Sequence, residues 1–208
     1  MKARVGGDDG LAPARLVTTP LEEFCGGLQT RVDRIDRGRL LQAAAPGGSE
    51  KAALAFTDRD VRVSVVRLPP TVHGEDHGFV PRLIGIARQR GVSAYPGDGS
   101  NRWPAVHRLD AASLFRLALK DASARTRLHA VGDEGVPVRD IAEVIGRHLE
   151  LPVTPISIDD AGNHFGWIGA FFALHVPASS TLTQKQFDWR PTQPGLLADL
   201  SAGHYFSS

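Results

Sequence analysis

The chain has 208 residues, 42% of them hydrophobic, and a formal net charge of +1 from 24 basic and 23 acidic side chains dispersed along its length. That composition fits a globular protein of one sizeable domain and argues against a disordered chain or a nucleic-acid binder. The apolar stretches around residues 165–176 are broken by glycine and histidine and fall short of the roughly 20 residues a membrane-spanning helix needs, the first ten residues lack the apolar core of a secretory signal, and the lone Cys25 excludes a disulfide framework and a cysteine-based zinc site, so a cytoplasmic protein without membrane partners is expected.

Residues 1–48 carry glycine pairs at 6–7, 26–27 and 47–48 and no sustained helical or strand period, so loop or poorly specified structure is expected there. A separate unit is expected over residues 49–208. Ser49 is placed to cap a helix that runs from Glu50 to near Asp58. Residues 61–68, VRVSVVRL, then read as a strand whose Val61, Val63, Val65, Val66 and Leu68 make it apolar on both faces toward its end, as in a strand covered by helices on both sides. Pro69 and Pro70 stop the ladder because neither has an amide hydrogen to donate. In open α/β sheets ligands bind beyond the carboxyl ends of the strands, which makes this exit a natural cofactor wall.

Apolar spacing predicts a helix over 79–89, and residues 94–107, AYPGDGSNRWPAVH, read as a turn between short extended segments. Asp110 is placed to cap a helix over 111–119, residues 127–131 read as a strand, and Pro137 opens a helix over 137–149 that buries Val138, Ile141, Val144, Ile145 and Leu149. Residues 151–158 look extended, and helices are expected over 160–174, 180–187 and 194–204.

Four segments in this order carry a resemblance. The lysine-bearing helix, VSVVRLPPTVHG, GDGSNRWPAVHRLDAA and LHAVGDEGVPVRDIAEVIGRHL are together similar to the C-terminal half of an extended short-chain dehydrogenase/reductase of the NAD-dependent epimerase/dehydratase type, over about residues 49–205. The resemblance implies a partial Rossmann-like parallel sheet with a small C-terminal α/β substrate region. It implies NAD or NADP as cofactor and a small carbonyl or alcohol as substrate. It puts Pro69, Pro70, Thr71 and Val72 beside the nicotinamide and Arg102, Trp103 and His107 nearest the substrate, with Asp110 on the second aspartate of the family's segment. Lys51 falls on the catalytic lysine, which in the family lowers the pKa of a tyrosine four residues earlier.

Two departures stand beside the likeness. The glycine-rich phosphate turn of the family has only VGGDDG at 5–10 as a counterpart, preceded by too few apolar residues for a buried strand, so the nucleotide-binding half is expected to be missing. Gly47 stands where the tyrosine belongs, and the two tyrosines, Tyr95 and Tyr205, lie elsewhere. A substitute proton donor is then needed, for which His73 or His107 is suited because imidazole titrates near neutral pH.

Plainer readings accompany each candidate. Lys51 also reads as a solvated helix residue, and His107 as a packed residue near a helix cap. Arg102 with Trp103 reads equally as an ordinary stacked pair. His73, Glu75, Asp76 and His77 match no standard metal-ligand spacing and read as a polar loop. A non-catalytic binding module of the same fold is therefore the competing reading to an oxidoreductase or epimerase. With residues 127–131 the only partner visible for strand 61–68, one edge of that strand is expected to be open and to promote self-association.

Overall fold

A computed structural model describes residues 14–18, 48–59, 61–75 and 78–207. The Val-rich segment forms strand β2, Arg62–Arg67, whose Val63, Val65 and Val66 are almost wholly buried. It lies in the middle of a parallel three-stranded sheet between β1, Ala14–Thr18, and β6, Arg127–His129. β1 corrects the expectation that nothing before residue 48 pairs with β2. Residues 14–18 take both the strand conformation and the register Ala14↔Arg62 to Thr18↔Val66, so β2 is paired along both edges. Helix α1, Gly48–Leu54, precedes β2 and continues as a 3-10 turn over Ala55–Arg59. Ser49 lies inside that helix and does not cap it.

Beyond Pro70 the chain starts a second sheet. β3, Thr71–His73, runs parallel to β5, Arg102–His107, and β5 pairs antiparallel with β7, Asp133–Pro137, through an irregularity between Trp103 and Ala105. β4, Ser93–Pro96, pairs in parallel with β8, Val153–Ile156. The turn between β4 and β5 is GDG, with Gly97 and Gly99 in the left-handed region and Asp98 accepting from the Ser100 amide and hydroxyl at 2.9 and 2.7 Å.

Helices cover these sheets. α2, Phe79–Arg90, and α4, Val138–Leu149, bury Val80, Leu83, Ile84, Ile141, Val144 and Ile145 against β4 and β5, at the helical spacing their sequences show. α3, Arg108–Asp121, lays Ala111, Leu114 and Ala118 on the β2 side with Val66, Leu128 and Trp189. Its cap is His107, whose Nδ1 accepts from the Leu109 amide at 3.2 Å. Asp110 sits inside the first turn, correcting its assignment as the cap. Its buried carboxylate accepts from the Thr192 and Gln193 amides at 3.0 and 3.1 Å and pins the chain that follows Trp189.

The segment expected as one helix over 160–174 is divided into α5, Ala161–Phe165, a 3-10 turn over Gly166–Ile168, and α6, Gly169–Phe172. Gly166 has φ +64°, and a Cβ on Gly169 would strike the Ala161 carbonyl, which only the broken path allows to approach. α7, Thr181–Phe187, and α8, Leu196–Ser201, follow, with a last 3-10 turn over His204–Phe206. No described helix is long and apolar enough to cross a membrane.

Candidate functional site at the end of β3

Parallel pairing aligns the ends of β3 and β5, placing His73 opposite His107. Their rings meet edge to face with centroids 5.3 Å apart. Two of the predicted site residues are thus brought together, and Arg108, next to His107, donates to Glu75 at 2.6 Å across the same two strand ends. Gly74 makes the approach possible. Its φ is +86°, and a Cβ there would lie 2.4 Å from His107 Nε2.

His73 is buried, and its Nδ1 lies 2.9 Å from Asp199 Oδ2 on α8. The same carboxylate oxygen accepts from the Gly74 amide at 3.0 Å and from the Tyr205 hydroxyl at 2.9 Å, and that hydroxyl itself accepts from the Gly74 amide at 2.9 Å. Burial alone would raise the Asp199 carboxyl, but the hydrogen bonds from His73 and Tyr205 outweigh it and hold the group below the usual carboxylate range. Among the described residues His73 Nε2 has no hydrogen-bond partner, and Asp133 Oδ2 lies 4.0 Å away. Asp133 is anchored from the other side by the Leu196 amide at 2.8 Å, at the start of α8. His107 is pushed below the ordinary imidazole range by burial first and then by the His73 ring beside it.

Thr71 shares the inward face of β3 with His73, two residues away, and its Oγ1 is also buried without a partner among the described residues. Pro69 is buried and Pro70 half-buried in the connection from β2, while Val72 packs toward the cluster around Leu114 and Trp189.

The other predicted residues lie apart. Trp103, expected nearest the substrate, is a buried core residue. It stacks on Phe79 at 4.7 Å, meets Phe172 at 6.0 Å, and spends its indole N–H on the Leu174 carbonyl at 3.1 Å. Arg102 is exposed and donates to the Gly135 carbonyl at 3.0 Å. Lys51 is exposed on α1, whereas its neighbour Glu50 is buried and accepts from Arg67 at 2.8 and 3.0 Å, with Arg127 at 3.5 Å. Hydrogen bonding by Arg67 holds the Glu50 carboxyl below its usual range despite its burial. Glu75 is exposed and pairs with Arg108, so it does not share a cluster with the buried His73; Asp76 and His77, like Gly47 and residues 5–10, lie outside the described residues.

Sequence reasoning missed Asp199, Tyr205 and Asp133. A signal existed for the first. Leu196, Asp199 and Leu200 occupy one face of α8 at i, i+3, i+4 spacing, which puts an acid on a buried stripe.

A scan against models of known protein families finds no match. The chain is 49% identical over 158 residues to an uncharacterized protein of Schizosaccharomyces pombe, covering 76% of this chain and 54% of that protein. It is 46% identical over 174 residues to an uncharacterized protein of Saccharomyces cerevisiae, covering 83% and 57%. The chain therefore spans about half the length of these curated relatives. Among solved structures it resembles the dTDP-glucose 4,6-dehydratase DesIV from Streptomyces venezuelae with NAD bound, at TM-score 0.59 and 19% identity over 77% of this chain and 48% of that one. It also resembles TunA, an NAD-dependent NDP-hexosamine 5,6-dehydratase involved in tunicamycin biosynthesis, at TM-score 0.63 and 17% identity over 93% and 63%. At such identities the likeness is one of fold: the chain has the Rossmann-like α/β architecture of NAD-dependent dehydratases and epimerases, over part of their length.

Proposed function

We propose that the chain carries the substrate side of an NAD(P)-dependent oxidoreductase or epimerase acting on a small carbonyl or alcohol. The observation that carries this reading is a pair of buried polar atoms without a partner among the described residues, Thr71 Oγ1 and His73 Nε2, on one face of the strand that leaves β2 through Pro69 and Pro70. Buried polar groups are nearly always satisfied, and an exception at the carboxyl end of a parallel strand points to a ligand. The shared fold with NAD-bound dehydratases agrees with it.

The residues present fit one end of a dinucleotide. The orphan Thr71 hydroxyl suits a polar edge of the nicotinamide or its ribose, and the donor-free Pro69–Pro70 backbone suits the apolar face of a ring. When bound, that group supplies hydride exchange. The chain's own part is to orient the substrate and to exchange its proton, for which His73 and His107 are at hand.

A second reading, a non-catalytic binding module, is favoured by the tyrosines. Tyr95 is buried beneath Arg139, and the Tyr205 phenol is held by Asp199 and Gly74, so neither substitutes for a tyrosine at position 47. Saturation-transfer NMR of NADH and of NADPH with the protein tests the first reading. Stronger transfer to the nicotinamide protons than to the adenine protons is expected. Transfer confined to adenine, or none, contradicts it.

A further inference from the structure

We propose that Asp199 is a positioning residue that holds His73 as a proton acceptor at Nε2. The inference deepens the reading above and rests on it for the identity of the proton's source. Asp199 Oδ2 is the meeting point of the His73 Nδ1 contact, the Gly74 amide and the Tyr205 hydroxyl, at 2.9, 3.0 and 2.9 Å. An ionised carboxylate only accepts, so His73 Nδ1 must donate to it. In the neutral ring that leaves a lone pair on Nε2, and a carboxylate orienting an imidazole in this manner fixes both tautomer and direction.

Among the described residues nothing donates to that lone pair. Asp133 Oδ2, at 4.0 Å, is itself an acceptor and stands beyond hydrogen-bond reach. Asp133 is a third exposed where the His73 side chain is fully covered, so its side is the one from which a donor would approach. A hydroxyl placed there gives its proton to Nε2: the O–H bond breaks, the oxygen keeps the pair, and an N–H bond forms. The positive charge then on the ring lies between Asp199 and Asp133. His107 cannot take this part with Nδ1, whose lone pair already accepts from the Leu109 amide at 3.2 Å. Among the described residues no carboxylate hydrogen-bonds His107, which separates the two histidines that sequence alone left equivalent.

The test is the ring nitrogen spectrum of the full chain labelled with 15N-histidine, at about pH 8 where free imidazole is neutral, with His73→Gln used to assign the signals. The wild type is expected to show His73 as the Nδ1–H tautomer. An Nε2–H tautomer, or a ring protonated at both nitrogens as in a buried ion pair between two carboxylates, overturns the proposal. Asp199→Ala is expected to introduce the Nε2–H form and Asp199→Glu to restore the Nδ1–H form; an unchanged tautomer in Asp199→Ala removes Asp199 from the role. Should that variant fail to fold, the wild-type spectrum still decides. No dinucleotide is needed, so a protein that shows the expected tautomer but binds neither NADH nor NADPH upholds this assignment while contradicting the functional reading.

Discussion

Residues 73 and 199 are 126 positions apart, yet the imidazole of the first and the carboxylate of the second meet at 2.9 Å and tie the end of β3 to α8. Gly74 and Tyr205 close the same knot, so the last turn of the chain is fastened to the loop that leaves the candidate site.

Tyr205→Phe should loosen that knot. The hydroxyl both donates to Asp199 and accepts from the Gly74 amide, and losing a buried hydrogen bond of this kind costs about 1–2 kcal/mol. Urea unfolding measures it; an unchanged midpoint would mean that the last turn contributes nothing to the site's rigidity.

Gly74→Ala should be worse than an ordinary glycine substitution. The backbone there has φ +86°, and the added methyl would meet the His107 ring at 2.4 Å from Nε2, so both strain and a displaced imidazole follow. A loss of about 1–3 kcal/mol is expected, together with a moved His107 ring resonance. A variant as stable as the parent with His107 unmoved would show that the two strand ends are not packed this closely.

The acid limb of stability should depend on Glu50 and Asp199. Both carboxyls are depressed in the folded protein, Glu50 chiefly by its hydrogen bonds to Arg67 and Asp199 by those from His73 and Tyr205 against the opposing effect of burial. A depressed carboxyl contributes stability that is fully present above its unfolded pKa and is lost as pH falls through the folded one. Unfolding midpoints recorded from neutral pH into the acid range should therefore decline below the usual carboxylate range. Glu50→Gln should lower stability at neutral pH and flatten the decline; an equally steep decline in that variant would assign it to other groups.

Trp103 and Arg102 should part company. Trp103→Ala empties the space between Phe79 and Phe172 and should cost about 3–5 kcal/mol. Arg102→Ala at the exposed start of β5 should stay within about 0.5 kcal/mol. A tolerant Trp103 would favour its reading as a substrate contact over that of a core residue.

How far the sequence could be read follows from which forces act locally. β2, α2 and α4 announce themselves because valine runs and i, i+3, i+4 spacing are properties of adjacent residues. The Pro69–Pro70 exit is equally local. β1 was not legible: ARLVT is five residues long, and what makes it a strand is the register it finds on β2, a long-range fact. β3 and β7 are short and polar for the same reason. At the site, His73 and His107 could be singled out as chemistry-bearing residues, but their convergence needs the β3–β5 pairing, and Asp199 and Tyr205 reach them from the far end of the chain. The stacking of Trp103 on Phe79 was not legible either, because it joins a strand to a helix more than twenty positions earlier.

Whether the exit from β2, through Thr71 to His73, faces a nicotinamide dinucleotide is decided by isothermal titration of NADH and NADPH into the purified chain. Heat that saturates with one of them, and that weakens when Thr71 is changed to valine, is the predicted result. No heat from either at millimolar ligand, or binding indifferent to Thr71→Val, would contradict it.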